Sequence, residues 1–181
     1  MDTSPRLLRF LSADILTSGY RVVGKVAGIS STGLMGMLND GTHSTMEVHD
    51  ARLARLHMPT KLVDHFEVVR LVKHQVFAIC LARREDLGPA ALVRGGYSNV
   101  NEYPVRITTP VFEVEGRLEI PGRFDFSALM NDGARVFIPI FQATITAILI
   151  PSLRVESPGM LLNRDHIDSL ALLSQRSKAE A

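Results

Sequence analysis

The chain aligns with itself. Residues 21–59 and 113–151 match without a gap, so that Gly24 falls on Gly116, Lys25 on Arg117, Val26 on Leu118 and Ala51 on Ala143. The run Leu38-Asn39-Asp40-Gly41 falls on Met130-Asn131-Asp132-Gly133, and Met58-Pro59 falls on Ile150-Pro151. With one residue deleted, 71–76 then falls on 162–167. Self-similarity of this kind predicts two tandem copies of one small unit, and 181 residues leave room for two such units.

Each copy carries strand signals. Segments 20–29 and 112–120 are rich in β-branched residues and hold a glycine where a strand bends or bulges. Short apolar runs at 34–38 and 126–130 follow and stop at Asn-Asp-Gly, which places Asn39, Gly41, Asn131 and Gly133 in tight turns tolerant of positive φ. In the next run Met46 and Val48 alternate on even positions, whereas Ala51 and Leu53 continue on odd ones. The second copy slips in the same way, from Ile138 and Ile140 to Ala143 and Ile145. Side chains alternate with period two along a strand, so the slip predicts a bulge or sharp bend near Asp50 and near Gln142.

These signals predict a mainly β protein of two tandem, small, five-stranded barrels of the SH3 or Sm type, preceded by a short helix. Ser4-Pro5 reads as an N-cap and first helical residue, with Leu8, Leu11 and Ile15 on one helical face. The expected organisation is an N-terminal helix at 1–18, a first β domain at 19–82, a linker at 83–110, a second β domain at 111–173 and a tail at 174–181. Residues 160–173 suit a strand or the start of a helix.

Composition narrows the function classes. With 46% hydrophobic and 22% charged residues, the chain has the make-up of a packed globular protein. A net charge of +1 supplies no global field for nucleic acid or acidic lipid. Cys80, the single cysteine, excludes an intrachain disulfide and a cysteine-based zinc site. Segment 136–151 lacks charge, but it is too short for a membrane-spanning helix and rich in β-branched residues, so no membrane insertion is expected. Arg6, Arg9 and Asp14 interrupt the apolar N-terminus where a signal peptide needs an unbroken run, which predicts a cytoplasmic protein.

Two resemblances bear on the second copy and on the end of the first. The elements Gly116-Arg117-Leu118, Leu129-Met130-Asn131, Phe137-Ile138-Pro139-Ile140 and Asn163-Arg164-Asp165-His166-Ile167 resemble an uncharacterised family of bacterial β proteins, which implies no activity. Val72-Lys73-His74-Gln75-Val76 is similar to the last hairpin of the bacterial Sm-like RNA chaperones. That similarity implies single-stranded RNA binding through Lys73 and His74; the basic residues of the same copy, Arg52 and Arg55 among them, are the further candidates for this alternative.

Catalytic and metal signatures do not assemble. His43, His49, His57 and His65 lie in one copy, but without a His-x-His or His-Glu-x-x-His spacing they read as surface residues. Gly28 and Gly33 lack the Lys-Ser/Thr of a phosphate loop, so no cofactor is expected. Glu113 and Glu115 share a strand face, and Asp165-His166-Ile167-Asp168 reads as a turn. The more telling contrast lies between the copies. Glu47, His49, Asp50, Arg52 and Arg55 in the first correspond to Pro139, Phe141, Gln142, Thr144 and Ala147 in the second. The second copy has lost a water-facing strand side, so Phe137, Pro139, Phe141, Thr144 and Ala147 are expected at an interface with the sister copy or with another chain. The expected function is that of a non-enzymatic interaction or scaffold protein, a subunit of a homo-oligomer or larger assembly, with Sm-like RNA binding as the alternative.

Overall fold

In the computed structural model, which describes residues 8–29, 32–92, 100–133 and 135–173, ten strands form one antiparallel sheet. They are β1 (Leu8–Thr17), β2 (Tyr20–Ile29), β3 (Thr45–Arg55), β4 (Leu62–Val72) and β5 (Val76–Leu81), then β6 (Val100–Thr108), β7 (Phe112–Pro121), β8 (Phe137–Ala147), β9 (Arg154–Asn163) and β10 (Ser169–Leu172). Helix α1 (Gly33–Asn39) lies between β2 and β3, and helix α2 (Phe126–Asn131) between β7 and β8. The strand order is β10-β6-β7-β8-β9-β5-β1-β2-β3-β4. The first half is therefore β5-β1-β2-β3-β4, the second is β10-β6-β7-β8-β9, and β9 beside β5 joins them. The end strands β10 and β4 do not pair, so one open sheet stands where two closed five-stranded barrels are expected from sequence.

Three further sequence expectations are corrected. The N-terminal segment is a strand over Leu8–Thr17 rather than a helix, because Leu11, Ala13 and Ile15 are buried at period two while Asp14 faces Arg21 of β2; Ser4-Pro5 lies outside the described residues. The runs at 34–38 and 126–130 are helical. In α1 the buried residues Leu34, Met35 and Leu38 follow helical spacing, and in α2 the Asp125 carboxylate caps the first turn through Ala128 N at 3.0 Å. The Asn-Asp-Gly tripeptides end these helices, and neither Gly41 nor Gly133 takes a positive φ. The segment read as a linker contains a 3₁₀ turn at Arg84–Leu87 and the whole of β6, which pairs with β7 and β10. Residues 93–99 and the tail at 174–181 lie outside the described residues. Residues 160–173, which suit a strand or a helix by sequence, contain the end of β9, a 3₁₀ turn at Arg164–His166 and β10.

The bends predicted by the parity slip are present. Asp50 and Gln142 have φ of 49° and 46°, and the β2–β3 and β7–β8 ladders shift register beside Gly24 and Gly116. There the bent strand crosses so closely that a Cβ on Gly24 would lie 2.6 Å from Val48 Cγ1 and 2.8 Å from His49 O. A Cβ on Gly116 would lie 2.5 Å from Ile140 Cγ2.

The two cores interpenetrate. Phe137, Phe141 and Leu161 of the second half pack in the cluster built around Val22, Val48 and Ile79 of the first. In return Leu16, Leu56, Phe77 and Cys80 of the first half join Phe112, Ile140 and Met160 of the second. Phe137, Ile138, Ile140, Phe141 and Ile145 are buried, but the apolar run emerges at its end, where Ile148 is exposed and Ile150 half-buried.

Candidate functional site

The two halves of the sheet meet where β5 lies beside β9. Strand β5 is buried at all six positions and pairs with β9 through Ala78↔Leu162, Ile79↔Leu161, Cys80↔Met160 and Leu81↔Gly159. Buried polar groups fix this register. Ser157 Oγ accepts from Leu81 N at 3.1 Å, with Gly159 O at 2.6 Å and Leu81 O at 2.9 Å as the acceptors within reach of its one proton, and Asn163 Nδ2 donates to Val76 O at 2.9 Å. Beside the ladder, Asn39 at the end of α1 grips the first residue of β8: its Nδ2 donates to Phe137 O at 3.0 Å and its Oδ1 accepts from Phe137 N at 2.8 Å. Arg84 makes a bidentate pair with Glu119 at 2.6 and 2.5 Å and lies 4.2 Å from the centroid of the Phe141 ring. His166 stacks on Phe77 with ring centroids 4.0 Å apart.

Of the residues expected at an interface, Phe137 and Phe141 lie in this joint. Ala147 is buried in the other cluster, with Phe112, Ile140 and Phe77, and Thr144 is half-buried on β8. Pro139 lines a cleft of about 550 Å³ between β7, α2 and β8, whose rim carries both signs of charge in Arg123, Asp125 and Arg135.

The residues of the RNA-binding alternative are not brought together. Lys73 is only 8% exposed, because its Nζ donates to Met37 O at 2.9 Å and Asp40 O at 3.0 Å, closing the end of α1. Burial holds its pKa below that of a free lysine, with the Asp40 charge opposing the shift. Arg164 performs the same task for α2, reaching Leu129 O at 3.3 Å and Asp132 O. His74 is exposed, while Arg52 and Arg55 lie toward the far end of β3 from Lys73, about 23 and 33 Å of strand away.

Two charged pairs on β3 and β4, Asp50 with His65 and Glu47 with Arg70, stand in the open. Asp50 accepts from His65 Nε2 at 2.7 Å, and that hydrogen bond holds the Asp50 carboxyl below the usual range. Glu47 pairs with Arg70 at 2.9 Å. Among the described residues no group of three or more His, Cys, Asp or Glu side chains is placed to hold a metal ion. Cys80 is buried, and burial pushes its thiol pKa up, so it is not poised for nucleophilic chemistry. No described helix is long and apolar enough to cross a membrane.

What sequence reasoning missed is the contrast between the two ends of the sheet and its middle. Strand β4 is exposed at seven successive positions from Leu62 to Val68, with Leu62, Val63, Phe66 and Val68 among them, and β10 is exposed or half-buried throughout. In the strand succession of each half, β4 takes the place of β9 and β10 takes the place of β5. No protein-family model, curated protein or solved structure matches the chain.

Proposed function

We propose that the chain is a non-enzymatic assembly module: two copies of one β unit joined edge to edge, with two further edges through which it becomes part of a homo-oligomer or larger assembly. The observation that carries this reading is the state of β4 and β10. Their counterparts β9 and β5 form the buried joint, while among the described residues no strand pairs with the outer edge of β4 or β10, and both present exposed apolar side chains. An eleven-residue edge strand with leucine, valine and phenylalanine exposed is a template for a further strand. The open placement of the Asp50–His65 pair and the burial of Cys80 favour a binding role over catalysis. Single-stranded RNA binding has weaker support, since Lys73 is committed to α1.

The test is the mass of the purified protein in solution, measured with and without nuclease. The expected result is a multiple of the chain mass that nuclease leaves unchanged. A strict monomer at every concentration, or an assembly that nuclease dissolves, contradicts the reading.

A further inference from the structure

The joint inside the chain specifies what fits the edges outside it. The two ladders that flank the joint set the equivalences. In β3–β4 Thr45 faces Val72, as Phe137 faces Asn163 in β8–β9, so Leu71, Val69 and Val68 stand where Leu162, Met160 and Gly159 stand. In β1–β5 Ala13 faces Leu81, as Val105 faces Leu172 in β6–β10, so Ser169, Ala171 and Leu172 stand where Ala78, Cys80 and Leu81 stand. The β5–β9 ladder thus has a counterpart that the chain does not form within itself.

Resting on the assembly reading above, we infer that β4 of one chain pairs antiparallel with β10 of a second copy, in the register Ser169↔Leu71, Ala171↔Val69 and Leu172↔Val68. The contact is heterologous: each chain offers one β4 and one β10, so every chain has a place for two neighbours.

A second observation, away from the strands, points to the same occupant. The operator that brings β10 to β4 also brings α2 of the incoming chain to the start of β3. Within the chain, Asn39 of α1 grips Phe137. The counterpart of Asn39 is Asn131, and the counterpart of Phe137 is Thr45. Both are exposed, and Asn131 makes no such bond among the described residues. The second copy supplies what is missing, with Asn131 against the backbone of Thr45.

The intermolecular joint is the weaker of the two. The positions of Phe137, Phe141 and Leu161, which plug the first half's core, are held at the open edge by Thr45, His49 and Arg70. Without that plug the contact relies on the strand ladder and on exposed apolar side chains such as Val68, at 41%, and Leu172, at 48%. Association is therefore reversible and concentration-dependent, whereas the joint inside the chain is permanent.

The test uses the full-length protein with one cysteine introduced per variant, the native Cys80 being buried. Val69→Cys and Ala171→Cys proteins are oxidised mildly, each alone and then mixed, and covalent dimer is read on a denaturing gel. Directly opposite residues of an antiparallel pair lie about 4.5–5.5 Å apart at Cα, within disulfide reach. The expected result is covalent dimer as the main product of the mixture and little from either variant alone. Dimer formed by either variant alone means like edges pair with like, which overturns the head-to-tail inference and leaves the assembly reading standing. No covalent dimer from a protein that is nevertheless oligomeric has the same meaning. No covalent dimer from a strictly monomeric protein removes both.

Discussion

Asn39 satisfies both backbone polar atoms of Phe137, donating to its carbonyl at 3.0 Å and accepting from its amide at 2.8 Å, across the boundary between the two halves. One side chain thus extends the hydrogen bonding of β8 where no neighbouring strand continues it. Replacing Asn39 with alanine leaves a part-buried amide and carbonyl unpaired and is expected to lower stability by about 1–3 kcal/mol. Asn131→Ala, at the exposed counterpart, is expected to stay within about 0.5 kcal/mol. Urea unfolding of both variants, at a concentration where the protein is unassembled, checks the contrast; equal losses would contradict it.

Gly24 and Gly116 are held by the crossing of the bent strands. A methyl group at Gly24 meets His49 O, a backbone atom that cannot swing away, at 2.8 Å. Gly24→Ala is expected to cost about 1–3 kcal/mol through overpacking, and Gly116→Ala a similar amount. Gly41→Ala, where nothing lies within 4 Å, is the control and should be close to neutral. Thermal unfolding of the three variants decides the point.

The Lys73 ammonium group is engaged within the fold. Its two hydrogen bonds close the end of α1, so Lys73→Met is expected to lower stability by about 1–3 kcal/mol by leaving the carbonyls of Met37 and Asp40 unpaired. If RNA co-purified with the wild-type protein and was lost in this variant while the fold stayed intact, the residue would instead be a nucleic-acid contact.

The Asp50–His65 hydrogen bond gives a pH dependence of known sign. Because the folded-state pKa of Asp50 is held below 3.8, the unfolded chain binds more protons between the two values, and stability rises with pH across that window. The contribution is complete above the unfolded value and is lost as pH falls through the folded one. Wild type is expected to exceed Asp50→Asn in stability above about pH 5, with the gap closing on acidification. Both groups are about half exposed, so added salt should narrow the gap as well.

The sequence makes legible what is written at short range. The parity slip at Met46-Val48 and Ala51-Leu53 marks the bend at Asp50 because period-two alternation admits no other reading of a strand. Gly24 and Gly116 mark the close crossing for the same local reason. The segment at 8–17 misleads because Leu8, Leu11 and Ile15 fit a helix while Leu11, Ala13 and Ile15 fit a strand, and the partners that decide, β2 and β5, are remote or later in the chain. Strand β6 hides in the linker because Pro104 and the charged Glu102 and Arg106 break its apolar pattern, yet Arg106 and Glu102 pair with Glu115 and Arg117 across the ladder. The interface role of Phe137 and Phe141 is readable as an apolar surplus. Which edges remain open is not, because strand adjacency depends on long-range pairing that no local pattern encodes.

Amide hydrogen exchange at two protein concentrations reads whether β4 and β10 are covered when chains associate. In dilute protein the outward amides of both strands should exchange quickly, as expected of unpaired edges. In concentrated protein, exchange should slow in β4 and β10 together, with little change in β5 and β9, whose ladder is already formed. Exchange rates in β4 and β10 that are fast and independent of concentration would mean that both edges stay open and that chains do not associate through them.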